Sequence, residues 1–211
     1  MIALPERRGA TRLVLVRHAE PDESMQGRCY GRLDVPLSAA GLRRAAAVGE
    51  VLRSHELEAV YSSPLQRAFD TARAVASAHG LEPIPREALR ELDFGELEGM
   101  SHDEIASEHP KLYRFWMEDP FAVRFPGGEG LSDLRARVLP EVAGIRERHE
   151  GQAAAVVAHG GVLRVVLADT LDLPETAFFR LDQPYGAVSV VDWVEDVPIV
   201  RVAGAVLYSP A

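Results

Sequence analysis

The sequence predicts an α/β fold, a three-layer sandwich with a mostly parallel central sheet, helices on both faces and an antiparallel edge strand. Three observations carry this. Leu13-Val14-Leu15-Val16 and Ala153-Ala154-Ala155-Val156-Val157-Ala158 are unbroken apolar runs of strand length, as in strands buried on both faces. Strand-like runs alternate with segments whose apolar residues repeat at helical spacing, the order that builds a parallel sheet. Near the end, the runs 186–193 and 198–203 are joined by a short acidic turn and read as an antiparallel pair at one edge.

Taken in order, residues 1–11 read as a frayed lead-in and about 12–17 as the first strand. That strand delivers Arg17, His18 and Glu20, and the polar, glycine-containing stretch from Pro21 to Arg32 is long enough to be a functional loop. A helix opens at the N-cap Ser38, with Leu37 and Leu42 placed as a hydrophobic staple, and runs to about Ser54 with Leu42, Ala45, Ala46, Gly49 and Leu52 on one face. Ala59-Val60-Tyr61-Ser62 reads as a second strand. Ser63, Pro64 and Gln66 then have the spacing of a capping box, followed by a helix with Leu65, Ala68, Phe69, Ala72, Val75 and Ala76 inward. Ile84 marks a short strand between two prolines, and Glu91 stands between Leu89 and Leu92. Residues 101–149 are helical and interrupted: Ser101 starts one helix, Pro110 and Pro120 break the pattern, and 125–130 is a loop. A long helix follows, with Leu131, Leu134, Val138, Val142 and Ile145 on one stripe and a kink or interruption expected at Pro140. Phe115, Trp116, Phe121 and Phe125 either wall a pocket or pack this segment onto the body. The run 153–158 then delivers His159-Gly160-Gly161 into an apolar helix, 162–171.

The totals bound the rest. A chain of 211 residues with 47% hydrophobic and 26% charged residues reads as one globular domain, with a mostly helical insertion at about 100–150. A net charge of −9 argues against a nucleic-acid partner or an acidic membrane surface, yet leaves room for a basic pocket that takes a small anion. The single cysteine, Cys29, excludes an internal disulfide and a cysteine zinc cluster and suits a reducing cytoplasm. The first twelve residues contain no apolar h-region, so no signal peptide is expected, and no run approaches the roughly 20 apolar residues of a membrane span.

Ligands of open α/β sheets gather beyond the carboxyl ends of the strands. Arg17 and His18 stand at one such end, Arg67 after a second strand, Glu91 after a third and His159 after a fourth. Each alone has a bland reading: a solubilising cation, a satisfied histidine, a solvent-facing carboxylate. Arg67 faces the positive end of its helix dipole, a position suited either to a solvated side chain or to joint binding of an anion. If the ends converge, two arginines and a helix N-terminus suit a phosphoryl group. No Walker loop occurs, so nucleotide triphosphate binding in that style is unsupported, and two histidines with acids leave a metal open although they come singly from distant strands without metal-ligand spacing.

In this pattern the chain resembles the histidine phosphatase superfamily, in its phosphoglycerate mutase-like branch. The resemblance rests on Leu15-Val16-Arg17-His18-Ala19-Glu20; on Asp34-Val35-Pro36-Leu37-Ser38 with Gly41; and on Ser62-Ser63-Pro64-Leu65-Gln66-Arg67-Ala68 with Thr71-Ala72. It continues in Glu91 with Phe94-Gly95 and Glu98-Gly99, in the Gly127-Gly128-Glu129 turn and in Val157-Ala158-His159-Gly160-Gly161. It implies that His18 is the nucleophile, with its other ring nitrogen held by a backbone carbonyl. Arg17, Arg67 and a protonated His159 would grip the phosphoryl oxygens with help from the Gly160 N–H, and Glu91 would be the general acid and base. Ser24, Arg28 and Tyr30 would complete the substrate site.

Two positions depart from the family pattern: Ala19 replaces glycine, adding a methyl group that would narrow the approach to His18, and Ser24 replaces asparagine. The short chain favours hydrolysis over mutase chemistry. The resemblance implies a metal-independent phosphatase of small-molecule phosphate monoesters that needs no cofactor, with no nucleic-acid or membrane partner and with a homodimer left open. A cofactor-dependent phosphoglycerate mutase and an α-ribazole 5′-phosphate phosphatase are the alternatives, and a catalytically silent phospho-ligand binder would be expected to lack His18 or Glu91.

Overall fold

The computed structural model describes residue 4 and residues 6–207. Six strands, β1 (Thr11–Arg17), β2 (Ala59–Ser62), β3 (Pro83–Pro85), β4 (Ala153–Ala158), β5 (Val188–Val194) and β6 (Val197–Ala205), form one sheet in the order β3-β2-β4-β1-β5-β6. The first four in that order are parallel, and β5 runs against both of its neighbours. The strand of opposite sense therefore lies one place in from the edge, and β6 is the edge itself.

Apolar residues on both faces of every central strand demand cover on both sides, and two helical layers supply it. One face, with Val14, Val16, Val60, Ala155 and Val157, packs on α1 (Ala39–Leu52) and α2 (Gln66–Ser77) through Val48, Leu52, Ala72 and Val75. The other, with Leu13, Leu15, Tyr61 and Val156, packs on α5 (Leu131–Arg148) and α6 (Gly160–Thr170). Here the stripe Leu131, Leu134, Val138, Val142 and Ile145 is buried throughout. The segment expected as an insertion thus divides. The helix α5 is a layer of the sandwich, and only α3 (His102–Glu108) and α4 (Pro110–Glu118) stand beside it at the sheet's carboxyl edge.

Several local expectations give way. The lead-in is not frayed where it is described. Leu4 and Ala10 are buried and Arg7 donates to the Gly151 carbonyl, while residues 1–3 and 5 lie outside the described residues. Ser38 caps α1 by accepting from the Gly41 N–H at 3.0 Å, but Leu42 is 55% exposed and no staple forms. The inward face is rotated to Gly41, Ala45, Val48, Gly49 and Leu52, because α2 packs on that side. Pro140 does not interrupt α5, which continues through it for 18 residues. The capping box at Ser63 does not form either. The helix begins at Gln66, and its first N–H donates at 2.7 Å to the Asp34 carboxylate, from a loop more than thirty residues earlier. Ser63 is used elsewhere.

The register of β1 on β4 pairs Val16 with Val157 and Arg17 with Ala158, and the His18 N–H donates to the Ala158 carbonyl at 2.9 Å. His18 and His159 therefore leave adjacent strands at the same height.

Candidate active site

A cavity of 330 Å³ opens at the carboxyl edge of the parallel strands. Arg17, His18, Arg28, Tyr30, Arg67, Glu91 and Gly160 line it, together with Arg164 and Tyr185. His18 is 2% exposed, and its Nδ1 lies 2.7 Å from the Ala19 carbonyl oxygen. A carbonyl only accepts, so Nδ1 carries the proton and the neutral ring keeps its Nε2 lone pair. Burial, then the charges of Arg67 and Arg17, hold the pKa of His18 well below its ordinary value, with the Ala19 bond opposing. The ring is neutral and nucleophilic at neutral pH.

Behind it His159, fully buried, has its ring centroid 5.1 Å from that of His18 and its Nε2 2.8 Å from Ser63 Oγ. Ser63 Oγ accepts from the Leu65 N–H, so its hydroxyl hydrogen has only His159 Nε2 to serve, which places the ring proton on Nδ1. That Nδ1 is buried and without a partner. Burial, followed by Arg67, His18 and Arg17, pushes the pKa of His159 well down. Without a bound anion this shift favours the neutral imidazole, whose Nδ1 would then be a neutral donor.

Arg67 is a fully buried arginine in the first turn of α2. Its guanidinium escapes the unfavourable helix dipole by donating to the carbonyls of Leu33 at 2.7 Å, Tyr30 at 3.0 Å and Gly31 at 2.9 Å, which leaves Nε unpartnered. Arg17 donates to the Gln183 carbonyl, lies 4.0 Å above the Tyr185 ring and likewise has a buried, unpartnered Nε. Three buried N–H groups from Arg17, Arg67 and His159 thus lack acceptors around His18, and a phosphoryl group would satisfy such a set.

Glu91 is held at both oxygens: Oε2 accepts the Gly161 N–H at 3.0 Å and Oε1 accepts the Leu92 N–H at 2.9 Å. Its main chain is clamped by Arg137 of α5, which donates to the Ala88, Arg90 and Glu91 carbonyls. Arg137 is in turn held by both oxygens of Glu129, at 3.0 and 2.9 Å. The Gly127-Gly128-Glu129 turn serves this clamp.

The remaining sequence candidates divide. Arg28 lines the cavity, donates to the Gly99 carbonyl at 2.7 Å and pairs with Glu104 at 3.0 Å. Tyr30 lines it too, its hydroxyl 2.6 Å from that of Tyr185. Ser24 does not reach it; its hydroxyl and N–H both bond to the Asp22 carboxylate in an exposed turn. The Ala19 methyl does not narrow the approach: Ala19 is buried against Leu37 and Ala45 and is absent from the cavity wall. Sequence reasoning missed Tyr185, Arg164, His102, Phe178 and Phe179, all on the wall, and gave Ser63 only a capping role. Of the aromatic cluster, Trp116 both packs in the core and lines the cavity, Phe125 is core and Phe115 is 49% exposed. Among the described residues no three His, Cys, Asp or Glu side chains gather as a metal ion requires, and no helix is long and apolar enough to cross a membrane.

Known proteins share both sequence and shape. The family model of the histidine phosphatase superfamily (branch 1) matches residues 13–205. Phosphoserine phosphatase 1 of Hydrogenobacter thermophilus is 34% identical over 184 residues, 87% of each chain. Among solved structures, Bacillus stearothermophilus YhfR superposes with a TM-score of 0.87 at 33% identity, covering 93% of this chain and 98% of its own. The mycobacterial glucosyl-3-phosphoglycerate phosphatase Rv2419c gives 0.84 at 31% identity, covering 93% and 100%.

Proposed function

Because the chain belongs to the histidine phosphatase superfamily and is a phosphatase, we propose that it hydrolyses phosphate monoesters through a phosphohistidine on His18, with no metal ion. The observation that carries this reading is a neutral His18 with a free Nε2, surrounded by buried N–H groups of Arg17, Arg67 and His159 that lack acceptors.

In the first step the Nε2 lone pair attacks phosphorus. The ester P–O bond breaks, its electron pair goes to the leaving oxygen, and Glu91 supplies the proton. Arg17, Arg67, His159 Nδ1 and the Gly160 N–H stabilise the charge spread over the phosphoryl oxygens. In the second step the Glu91 carboxylate takes a proton from water as its oxygen attacks phosphorus. The N–P bond breaks, the pair returns to Nε2, and inorganic phosphate leaves. Phosphatases of phosphoserine and of glucosyl-3-phosphoglycerate among its relatives support a small polar metabolite as substrate.

The test is hydrolysis of p-nitrophenyl phosphate in excess chelator by the native protein and by His18→Ala. Activity that survives chelation and disappears in the variant is expected, together with an acid-labile phosphoprotein after quenching. Loss of activity on chelation would overturn the reading. Turnover of 3-phosphoglycerate that depends on 2,3-bisphosphoglycerate would shift it to a mutase, and a panel including α-ribazole 5′-phosphate would fix the ester.

A further inference from the structure

Two tyrosines from distant parts of the chain stand around His18 and have no use in that mechanism. The Tyr30 ring lies 6.3 Å from the His18 ring, centroid to centroid, and the Tyr185 ring 5.5 Å from it. Their hydroxyls are 2.6 Å apart, so one donates to the other across 155 positions of sequence. Both side chains line the cavity. Burial, followed by Tyr185, raises the pKa of Tyr30, which keeps its hydroxyl protonated.

Each tyrosine is attached to one of the two arginines assigned to the phosphoryl group. The Arg67 Cζ lies 4.9 Å from the centre of the Tyr30 ring, and its Nη2 donates to the Tyr30 carbonyl at 3.0 Å. The Arg17 Cζ lies 4.0 Å above the Tyr185 ring, and its Nη1 donates to the carbonyl of Gln183 in the same turn. Ring face and main chain thus fix each guanidinium to the segment that carries its tyrosine, and in both cases a buried Nε–H is left without an acceptor. The Tyr185 segment is anchored to the nucleophile as well, since the Gly186 N–H donates to the His18 carbonyl at 3.1 Å. The bond between the hydroxyls joins the two segments, and so closes a ring of contacts around His18 that runs Arg17, Tyr185, Tyr30, Arg67.

Two guanidiniums beside one neutral histidine repel each other until an anion arrives. A site whose donors are free to drift apart loses affinity to the ordering that binding then demands. We infer that the Tyr30–Tyr185 bond is a strap that holds the Arg17 and Arg67 guanidiniums in place around His18 before a phosphoryl group binds, which makes both tyrosines positioning residues. This rests on the phosphoryl-binding role given to the two arginines above. The hydroxyls act through the arginines and not on the ligand, and together they form a single bond. Removing either one releases the strap, and removing the second changes nothing further. The effect is bounded by the worth of one hydrogen bond, about three- to tenfold in affinity.

The test is calorimetric titration with inorganic phosphate of the native protein, Tyr30→Phe, Tyr185→Phe and the double variant. Phenylalanine keeps each ring over its guanidinium and removes only the hydroxyl, and thermal unfolding confirms that the variants fold. Each single variant should bind phosphate about three- to tenfold more weakly than the native protein. The double variant should bind no more weakly than the weaker of the two, the signature of one shared interaction. Losses that multiply in the double variant would overturn the proposal, because they would show two hydroxyls that each touch the anion. Unchanged affinity would overturn it by reducing the bond to a packing contact, and tighter binding would do so by showing a gate that phosphate has to open. Failure of the phosphohistidine mechanism shows differently, as a native protein that binds phosphate and hydrolyses no ester. A native protein that binds no phosphate would overturn both.

Discussion

Gly161→Ala tests the proposed general acid, Glu91, apart from the other site residues. A Cβ on Gly161 would stand 3.2 Å from the Glu91 carboxyl carbon and closer still to Oε1, and its three nearest atoms all belong to that carboxyl group. To regain van der Waals distance the carboxylate has to retreat on the order of 1 Å, straining the 3.0 Å bond from the Gly161 N–H. Misplacing a reacting group by that much costs about a hundredfold in rate, or about 2.7 kcal/mol of barrier. The fold should not suffer, since alanine in a helical first turn raises stability by about 0.4–1 kcal/mol over glycine. The assay is single-turnover phosphorylation of His18 by an alkyl phosphate and by p-nitrophenyl phosphate, whose leaving group departs as a stable anion. The alkyl ester should slow by about a hundredfold and the aryl ester far less, with an unchanged or higher unfolding midpoint in urea. Equal slowing of the two esters, or none, would refute the assignment of Glu91 as proton donor.

Three further outcomes are expected. Arg67→Lys removes a fork that holds three carbonyls at once and should lower kcat/KM on the order of a hundredfold and the unfolding free energy by about 1–3 kcal/mol; near-native values for both would refute the clamp. His18 and His159 have folded pKa values pushed below the unfolded value, so on acidification the unfolded chain takes up protons first. Their contribution to stability is full above about pH 6.5 and is lost as pH falls below it; urea midpoints at pH 7.5 and 5.5 measure this, and a higher midpoint at the lower pH would contradict it. Cys29 lines the cavity, but burial, with Glu98 and Glu91, pushes its thiol up to about 12. Iodoacetamide at pH 8 should modify the folded protein far more slowly than the urea-unfolded chain; equal rates would show the thiol to be open.

The parts of the site legible in the sequence are those where a buried strand ends abruptly in charge. Arg17-His18 and His159-Gly160 follow apolar runs with no room for an amphipathic alternative, so position along the chain implies position at the sheet edge. Arg67 was visible as a cation on the wrong end of a dipole. The rest depends on tertiary demand that overrides local pattern. Ser63 has the spacing of a helix cap, yet His159 claims its hydroxyl, and Asp34 supplies the cap from a distant loop. Glu91 follows no strand directly, and its fixation by Arg137 and Glu129 joins segments with no periodic relation. Phe178 and Phe179 come from a short 3-10 helix after α6 and Tyr185 from the turn beyond it, where residue type alone does not separate wall from surface. Leu42 shows the converse error, an apolar residue on the wrong side of a helix whose partner was not foreseeable.

The pairing of β1 with β4, which sets Arg17 beside Ala158, also decides which kinds of genetic change this protein tolerates. The two histidines meet only because two runs far apart in the chain are counted out to the same length. A single codon inserted within 153–158 would carry His159 about 3.3 Å along the strand and turn it to the opposite face of the sheet. Many side-chain replacements in that alanine-rich strand would be milder. β1 and β4 therefore change by substitution and not by insertion or deletion.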